Sequence, residues 1–178
     1  MAASRTALVL TVSDRGAAGE RADATGPAVA ARLEALGFAV ERALVPDDRP
    51  LIEAALVAGA ARHPLVVTAG GTGLAPRDVT PQATLAVVDH EVPGLAEAMR
   101  ADGRATTPFS VLSRAVAGVR GRSLLVNLPG SPRGALESLA SIEAVLDHAL
   151  ATLGGPFDHD AAPPGDGGLA AADPARPS

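Results

Sequence analysis

The 178 residues of this chain include no cysteine, lysine, tryptophan or tyrosine. Without cysteine, the chain has no disulfide, thiolate nucleophile or cysteine ligand for a metal. Without lysine, all 15 basic residues are arginines, which excludes Schiff-base chemistry and the phosphate-binding lysine of a P-loop. A nucleic-acid-binding protein needs a basic surface and stacking rings, whereas this chain has a net charge of −5 and only three Phe as aromatic residues. We therefore expect no nucleic-acid partner.

Long hydrophobic runs are missing as well. No stretch approaches the 18 or so apolar residues of a membrane span, and the apolar run at residues 7–12 is too short for a signal-peptide core. We expect a cytoplasmic protein with no membrane partner. The four histidines are scattered and show no zinc-binding spacing.

Strand-like and helix-like segments alternate along the chain. The predicted strands are 7–13, 38–45, 65–68 and 124–127. The predicted helices are 27–36, 51–62, 93–101, 110–119 and 131 to about 153, and a further helix begins at Thr80, whose hydroxyl would cap it. This alternation predicts an α/β domain with a mostly parallel sheet. We assign it to residues 1–157. Residues 158–178 are rich in Pro, Gly, Ala and Asp, and we predict a disordered tail.

Small or acidic polar residues follow all four predicted strands. In open α/β sheets, ligands bind beyond the carboxyl ends of the strands. The four strand ends carry Ser13 and Asp14, then Asp47 and Asp48, then residues 69–73, and finally residues 127–132. The sequence therefore predicts that these four segments meet at one site.

The third of these strand ends is a glycine loop, Ala-Gly-Gly-Thr-Gly at 69–73. Glycines let backbone amides approach an anion closely, and the Thr72 hydroxyl adds a donor. The pattern is neither the GxGxxG of a dinucleotide-binding fold nor a P-loop. We interpret it as a cradle for a phosphate or a pterin, and a merely strained turn is the alternative.

Two acids on these loops, Asp47 and Asp78, are candidates to bind Mg²⁺, which takes a few carboxylates together with waters and phosphates. Each is alternatively a helix cap or a surface partner of an arginine. Arg77, Arg114 and Arg133 could each clamp a phosphate, although solvent exposure is the plainer interpretation of each.

The motifs of the chain, taken in order, resemble those of the molybdopterin adenylyltransferases of the MogA/MoaB type, which are related to the gephyrin G domain. They are TVSD at 11–14, VPD at 45–47, GGTGLAPRDVTP at 70–81, EVPG at 91–94, TPF at 107–109, LSR at 112–114 and NLPGSP at 127–132. The resemblance spans about residues 5–154.

This resemblance implies a three-layer α/β/α fold, the molybdenum cofactor biosynthesis protein-like fold, and usually a homotrimer. It implies molybdopterin and ATP as substrates, with Mg²⁺, and adenylylation of the molybdopterin phosphate with release of pyrophosphate. A molybdenum-insertion protein would be a possible partner. The family's catalytic and metal-binding acids match Asp47 and Asp78. Its substrate-binding residues match Ser13, Asp14, Gly70, Gly71, Thr72, Gly73, Glu91, Ser113, Asn127, Gly130 and Ser131.

Two alternatives stay open at this point. The chain could be a homologue that binds molybdopterin without catalysis, although the presence of both acids favours an enzyme. It could also be a nucleotide hydrolase like the related domain of competence-damage proteins, although Arg77 and Asp78 within residues 72–81 resemble the adenylyltransferases instead.

Overall fold

Six strands and seven α-helices make up residues 5–155, the part of the chain that the computed structural model describes. The strands are Thr6–Val12 (β1), Ala39–Val45 (β2), Leu65–Ala69 (β3), His90–Glu91 (β4), Ala117–Arg120 (β5) and Ser123–Leu128 (β6). The helices are Asp14–Ala17 (α1), Thr25–Ala35 (α2), Arg49–Ala60 (α3), Thr80–Val87 (α4), Pro93–Thr106 (α5), Pro132–Ala140 (α6) and Glu143–Gly154 (α7), with a 3-10 helix at Pro108–Leu112. The tail predicted at 158–178 lies outside the described residues. No helix within 5–155 is long and apolar enough to cross a membrane.

The strands form one mixed sheet in the order β2-β1-β3-β6-β5-β4. The pairs β1/β2, β1/β3 and β3/β6 are parallel, and β5 and β4 add an antiparallel edge. The prediction of an α/β domain with a mostly parallel sheet is confirmed. β2 lies on one side of β1 in the sheet and β3 lies on the other. The direction in which successive strands are added therefore reverses between β1 and β3.

Helices cover both faces of this sheet, which gives the three layers. Along β1, Ala7 and Val9 point into the core beneath α2, α5, α6 and α7, while Leu8, Leu10 and Val12 point into the core beneath α3 and α4. The central strands β3 and β6 are buried along their whole lengths. Their sequences are mostly apolar, as burial on both faces favours, and are interrupted only by Thr68 in β3 and by Ser123 and Asn127 in β6.

Three sequence predictions differ from the structure. The predicted helix at 110–119 is wrong: the 3-10 helix ends at Leu112, and β5 forms a hairpin with β6 in which Arg120 is paired with Ser123. Cross-strand pairing overrides the apparent helical spacing there. The single helix predicted from residue 131 to about 153 is two, α6 and α7, which are separated by a turn at Ser141 and the buried Ile142. Thr80 does not cap α4, whose N-cap residue is Val79.

Candidate functional site

The reversal of strand order between β1 and β3 places the candidate site. A crevice opens at such a switch point because the connections on either side of it leave in opposite directions. The loops after β1 and β3 flank this point, and parallel neighbours bring the loops after β2 and β6 to the same edge. The predicted convergence of the four strand ends therefore follows from the topology.

Asp14 and Asp47 are linked by two reciprocal hydrogen bonds. The Asp14 amide donates to Asp47 Oδ2 at 2.8 Å, and the Asp47 amide donates to Asp14 Oδ1 at 2.9 Å. Arg77 lies over the pair and donates from Nε and Nη2 to the two carboxylate oxygens of Asp14, at 2.9 and 2.7 Å. Arg77 therefore binds an acid of the site, and does so through an exposed bidentate ion pair.

The two acids differ electrostatically. Burial raises the pKa of the Asp47 carboxyl, and the charges of Asp14 and Asp78 act in the same direction, although the hydrogen bond from the Asp14 amide opposes them. The hydrogen bonds from Arg77 hold the pKa of Asp14 below its ordinary value. Asp14 is thus ion-paired with Arg77, whereas Asp47 forms no ion pair among residues 5–155, although the charge of Arg77 also opposes the rise in its pKa.

Two glycines of the loop hold conformations that other residues rarely adopt. Gly70 has φ +114°, and a β-carbon there would lie 2.3 Å from the carbonyl oxygen of Val12. Gly71 has φ +65°, and a β-carbon there would lie 2.3 Å from the hydroxyl oxygen of Thr80. Glycine is needed at both positions because the loop packs against β1 on one side and α4 on the other.

A polar cavity of about 240 Å³ lies at this switch point. Of the predicted site residues, it is lined by Ser13, Asp47, Gly70, Gly71, Asp78 and Gly130. Sequence reasoning missed Asp23, whose carboxylate also lines this cavity and accepts hydrogen bonds from the Thr11 hydroxyl and from the amides of Thr25 and Gly26. An Asp two residues before the start of a helix is a capping signal that could have identified it.

A second cavity, of about 480 Å³, lies on the other side of the glycine loop. Thr72, Gly73, Ser113 and Ser131, all predicted site residues, line it. Its walls are largely apolar and include Leu74, Met99, Phe109 and Leu112. Its charged lining residues are Arg100 and Glu137, neither of which the sequence analysis identified. The glycine loop therefore separates a polar cavity from an apolar one.

Three further predicted residues, Asp14, Glu91 and Asn127, line neither cavity. The Asn127 side chain is fully buried and donates to the hydroxyls of Thr68 and Thr84, at 3.0 and 2.8 Å. Glu91 is exposed on the edge strand β4. Arg133, a candidate phosphate clamp, is paired with Glu137 at 2.7 Å on the surface of α6.

The polar cavity suits a hard divalent cation. Its carboxylates Asp47 and Asp78 repel each other, and a cation would relieve that repulsion. The Thr80 hydroxyl, directly beneath Gly71, is buried and has no hydrogen-bond partner among the described residues. Residues 5–155 contain no cluster of three or more His, Asp or Glu side chains that could hold a metal. A Mg²⁺ ion here would therefore take its remaining ligands from water and a bound phosphate, as Mg²⁺ commonly does.

A family model, a curated relative and a solved structure all relate this chain to molybdopterin proteins. Residues 8–148 match the family described as a probable molybdopterin binding domain. The molybdopterin adenylyltransferase of Haemophilus influenzae is 44% identical over 141 residues, which cover 76% of this chain and 71% of that protein. The molybdopterin biosynthesis enzyme MoaB of Thermus thermophilus is 52% identical and superposes with a TM-score of 0.79 over 83% of this chain and 95% of that one.

A more distant structure shares the fold alone. The protein CinA of Thermoplasma acidophilum, of unknown function, is 19% identical and has a TM-score of 0.62, over 79% of this chain and 97% of that one.

Proposed function

This chain belongs to the probable molybdopterin binding domain family and is an enzyme of its molybdopterin adenylyltransferase group, and from that premise we propose that it transfers AMP from Mg-ATP to molybdopterin. An oxygen of the molybdopterin phosphate would attack the α-phosphorus of ATP. The bond from that phosphorus to the bridging oxygen would break, and pyrophosphate would leave. Adenylyl-molybdopterin would be the product, within molybdenum cofactor biosynthesis.

The observation that carries this proposal is the pair of cavities on either side of the glycine loop. We assign the apolar cavity to the pterin, because a flat heterocycle gains most from apolar walls with a few polar groups. We assign the polar cavity to the triphosphate and Mg²⁺, because it holds the acids Asp47 and Asp78. The phosphate of molybdopterin would then lie at the loop that separates the two cavities, next to the α-phosphate.

The residues of the polar cavity suit a reaction that is catalysed mainly by positioning of the substrates and by electrostatic stabilisation of the transition state. A phosphate monoester is already anionic near neutral pH, so the attack needs no general base. Gly70 and Gly71 allow the backbone to approach an anion closely, and Asp47 and Asp78 would hold Mg²⁺. The ion, when bound, would neutralise charge that develops on the phosphate oxygens.

Replacement of Asp78 by Asn tests the assignment of the acids. We expect Asp78→Asn to lower kcat by roughly 10²- to 10³-fold, the usual effect of removing one electrostatic contact to a transition state. The pterin should still bind, since Asp78 does not line the apolar cavity. The assay mixes the protein with molybdopterin, ATP and Mg²⁺ and measures adenylylated molybdopterin and pyrophosphate.

The other outcomes separate the alternatives. A wild-type rate in the Asp78→Asn variant would overturn the role of this acid. Binding of molybdopterin without product in the wild-type protein would indicate a binding protein. Consumption of a nucleotide without any pterin would indicate a hydrolase.

A further inference from the structure

Arg114 is bound to the loop between β3 and α4 at three points. Its backbone amide donates to the carbonyl oxygen of Thr72 at 2.9 Å. Its side chain donates from Nε to the carbonyl oxygen of Gly73 at 2.7 Å and from Nη2 to that of Asp78. One guanidinium edge thus joins the end of the glycine loop to the residue that carries the second acid. The Arg114 guanidinium, which the sequence analysis named as a candidate phosphate clamp, therefore donates to backbone carbonyls instead.

Few other hydrogen bonds fix residues 72–78. The Asp78 amide donates to the carbonyl of Ala75, and the Ala75 amide donates to Asp78 Oδ2, so both bonds close within the segment. Arg77 reaches Asp14, but through an exposed ion pair, which contributes little to holding a loop. Arg114 is therefore the partly buried anchor of this segment to the rest of the described structure.

The position of Arg114 also connects the two cavities. Its neighbours Ser113 and Ala115 line the apolar cavity, whereas Asp78 lines the polar one. The guanidinium forms no ion pair with a carboxylate among residues 5–155. Its positive charge is therefore only partly offset by carbonyl dipoles, and it lies behind a loop that would receive an anionic group.

We propose that Arg114 is a positioning residue for adenylyl transfer: it fixes Asp78 relative to the glycine loop and so aligns the contents of the two cavities. It acts through the backbone of residues 72–78 and does not touch the substrate. Displacement of such a loop by about 1 Å can lower a rate roughly 10²-fold. This inference rests on the proposed function for its kinetic consequence, but its structural consequence can be measured without turnover.

The variants are Arg114→Lys and Arg114→Gln, with Arg120→Gln as the matched control. Arg120 also donates from a partly buried guanidinium to a backbone carbonyl, that of Val87 at 2.6 Å, but lines neither of the two site cavities. Lysine keeps the charge of Arg114 but lacks the planar fork that bonds two carbonyls at once. If alignment is what matters, both Arg114 variants should lose about 10²-fold in kcat with little change in KM for molybdopterin. Full recovery by Lys would show that charge alone matters and would overturn the positioning role.

A double variant tests whether Arg114 acts through Asp78. In the Asp78→Asn background, Arg114→Gln should cost little further activity, because the group that it positions is already lost. If the fold-losses in kcat of the two single variants instead multiply in the double variant, the proposal is overturned, because a general structural defect would act independently of Asp78.

Hydrogen exchange measured by mass spectrometry tests the inference without any substrate. Arg114→Gln and Arg114→Lys should speed exchange in residues 72–78 while β1 and β3 stay protected, and Arg120→Gln should leave residues 72–78 unchanged. Unchanged exchange at 72–78 in both Arg114 variants would overturn the proposal. A wild-type protein without turnover would instead refute the proposed function, and the exchange result would still decide the role of Arg114. Should Arg114→Gln not fold, Arg114→Lys carries both measurements.

Discussion

Two acids at neighbouring strand ends show how much the surroundings of a residue determine its chemistry. Asp14 and Asp47 both follow a strand, and the same pair of hydrogen bonds joins their backbones and carboxylates. Arg77 neutralises Asp14, whereas burial and two neighbouring acids make the ionised form of Asp47 unfavourable. Of these two acids, Asp47 therefore has more to gain from a bound cation.

This difference predicts the effect of removing the charge of Asp47. The pKa of Asp47 is higher in the folded than in the unfolded protein. The charge of Asp47 therefore lowers stability at pH values above the folded pKa, and it has no effect at pH values below the unfolded pKa, where the carboxyl is protonated in both states. Asp47→Asn should therefore raise Tm at neutral pH in the absence of metal, and the gain should vanish in acid. Thermal melts with and without Mg²⁺ check this, since added Mg²⁺ should raise Tm of the wild-type protein more than that of the variant.

Asp48→Asn is the matched control. Asp48 caps α3 by accepting from the Leu51 amide at 3.1 Å, and Asn caps a helix about as well. Its melts should follow those of the wild-type protein with and without Mg²⁺. A loss of stability in Asp47→Asn at neutral pH would contradict our view of that site.

At the scale of elements, one buried side chain joins β6 to its neighbours. Asn127 on β6 donates to Thr68 on β3 and to Thr84 on α4, and its Oδ1 accepts from the Val116 amide at 3.3 Å. Every polar atom of this amide is thus engaged by protein, which leaves none to bind a substrate. Asn127 thereby ties α4, which follows directly on the loop that carries Asp78, to β6 of the sheet.

Thr84→Val tests this network against a natural control. The hydroxyls of Thr84 and Thr152 both donate to the carbonyl four residues earlier, but only that of Thr84 is buried and accepts from Asn127. Thr84→Val should lower the free energy of unfolding by about 1–3 kcal/mol, because it leaves a buried amide hydrogen without its acceptor. Thr152→Val should change it by no more than about 0.5 kcal/mol. Urea unfolding of both variants measures the difference, and equal effects would argue against the network.

At the scale of the whole molecule, two cavities of opposite character share one loop. The apolar cavity has one carboxylate, Glu137, and one guanidinium, Arg100, in its lining. The donor edge of a pterin, with an amino group beside a ring N–H, is complementary to a carboxylate. The present partner of Glu137 is the exposed Arg133 on the same helix, a pairing that costs little to replace.

Glu137→Gln should therefore weaken binding of a fluorescent hydroxymethylpterin roughly tenfold, the lower end of what a hydrogen bond to a charged group contributes. Binding of Mn²⁺ with ATP, followed by electron paramagnetic resonance, should not change, because Glu137 does not line the polar cavity. The matched control is Glu53→Gln, which breaks the similar ion pair with Arg49 on the surface of α3. Equal pterin affinity in the two variants would place the pterin elsewhere.

The sequence by itself determined the α/β class, the parallel centre of the sheet and the meeting of four polar strand ends at one edge. Strands buried on both faces are mostly apolar, as at 65–69, and glycines at 70 and 71 mark a turn that other residues rarely adopt. Because the carboxyl ends of parallel strands share one edge, the polar residues after four strands were bound to meet. Local chemistry was therefore sufficient to identify Asp47, Asp78 and the glycine loop as one neighbourhood.

Only the tertiary structure decided which residues share a cavity. No local pattern pairs Asp23 with Thr11 or Arg114 with Asp78, because 12 and 36 residues separate the partners along the chain. Asn127 lies at the edge of the site in sequence, but the pleat of β6 turns its side chain into the core. The antiparallel edge at β5 was misread for the same reason: helical spacing is a local signal, and pairing with β6 is a contact that only folding supplies.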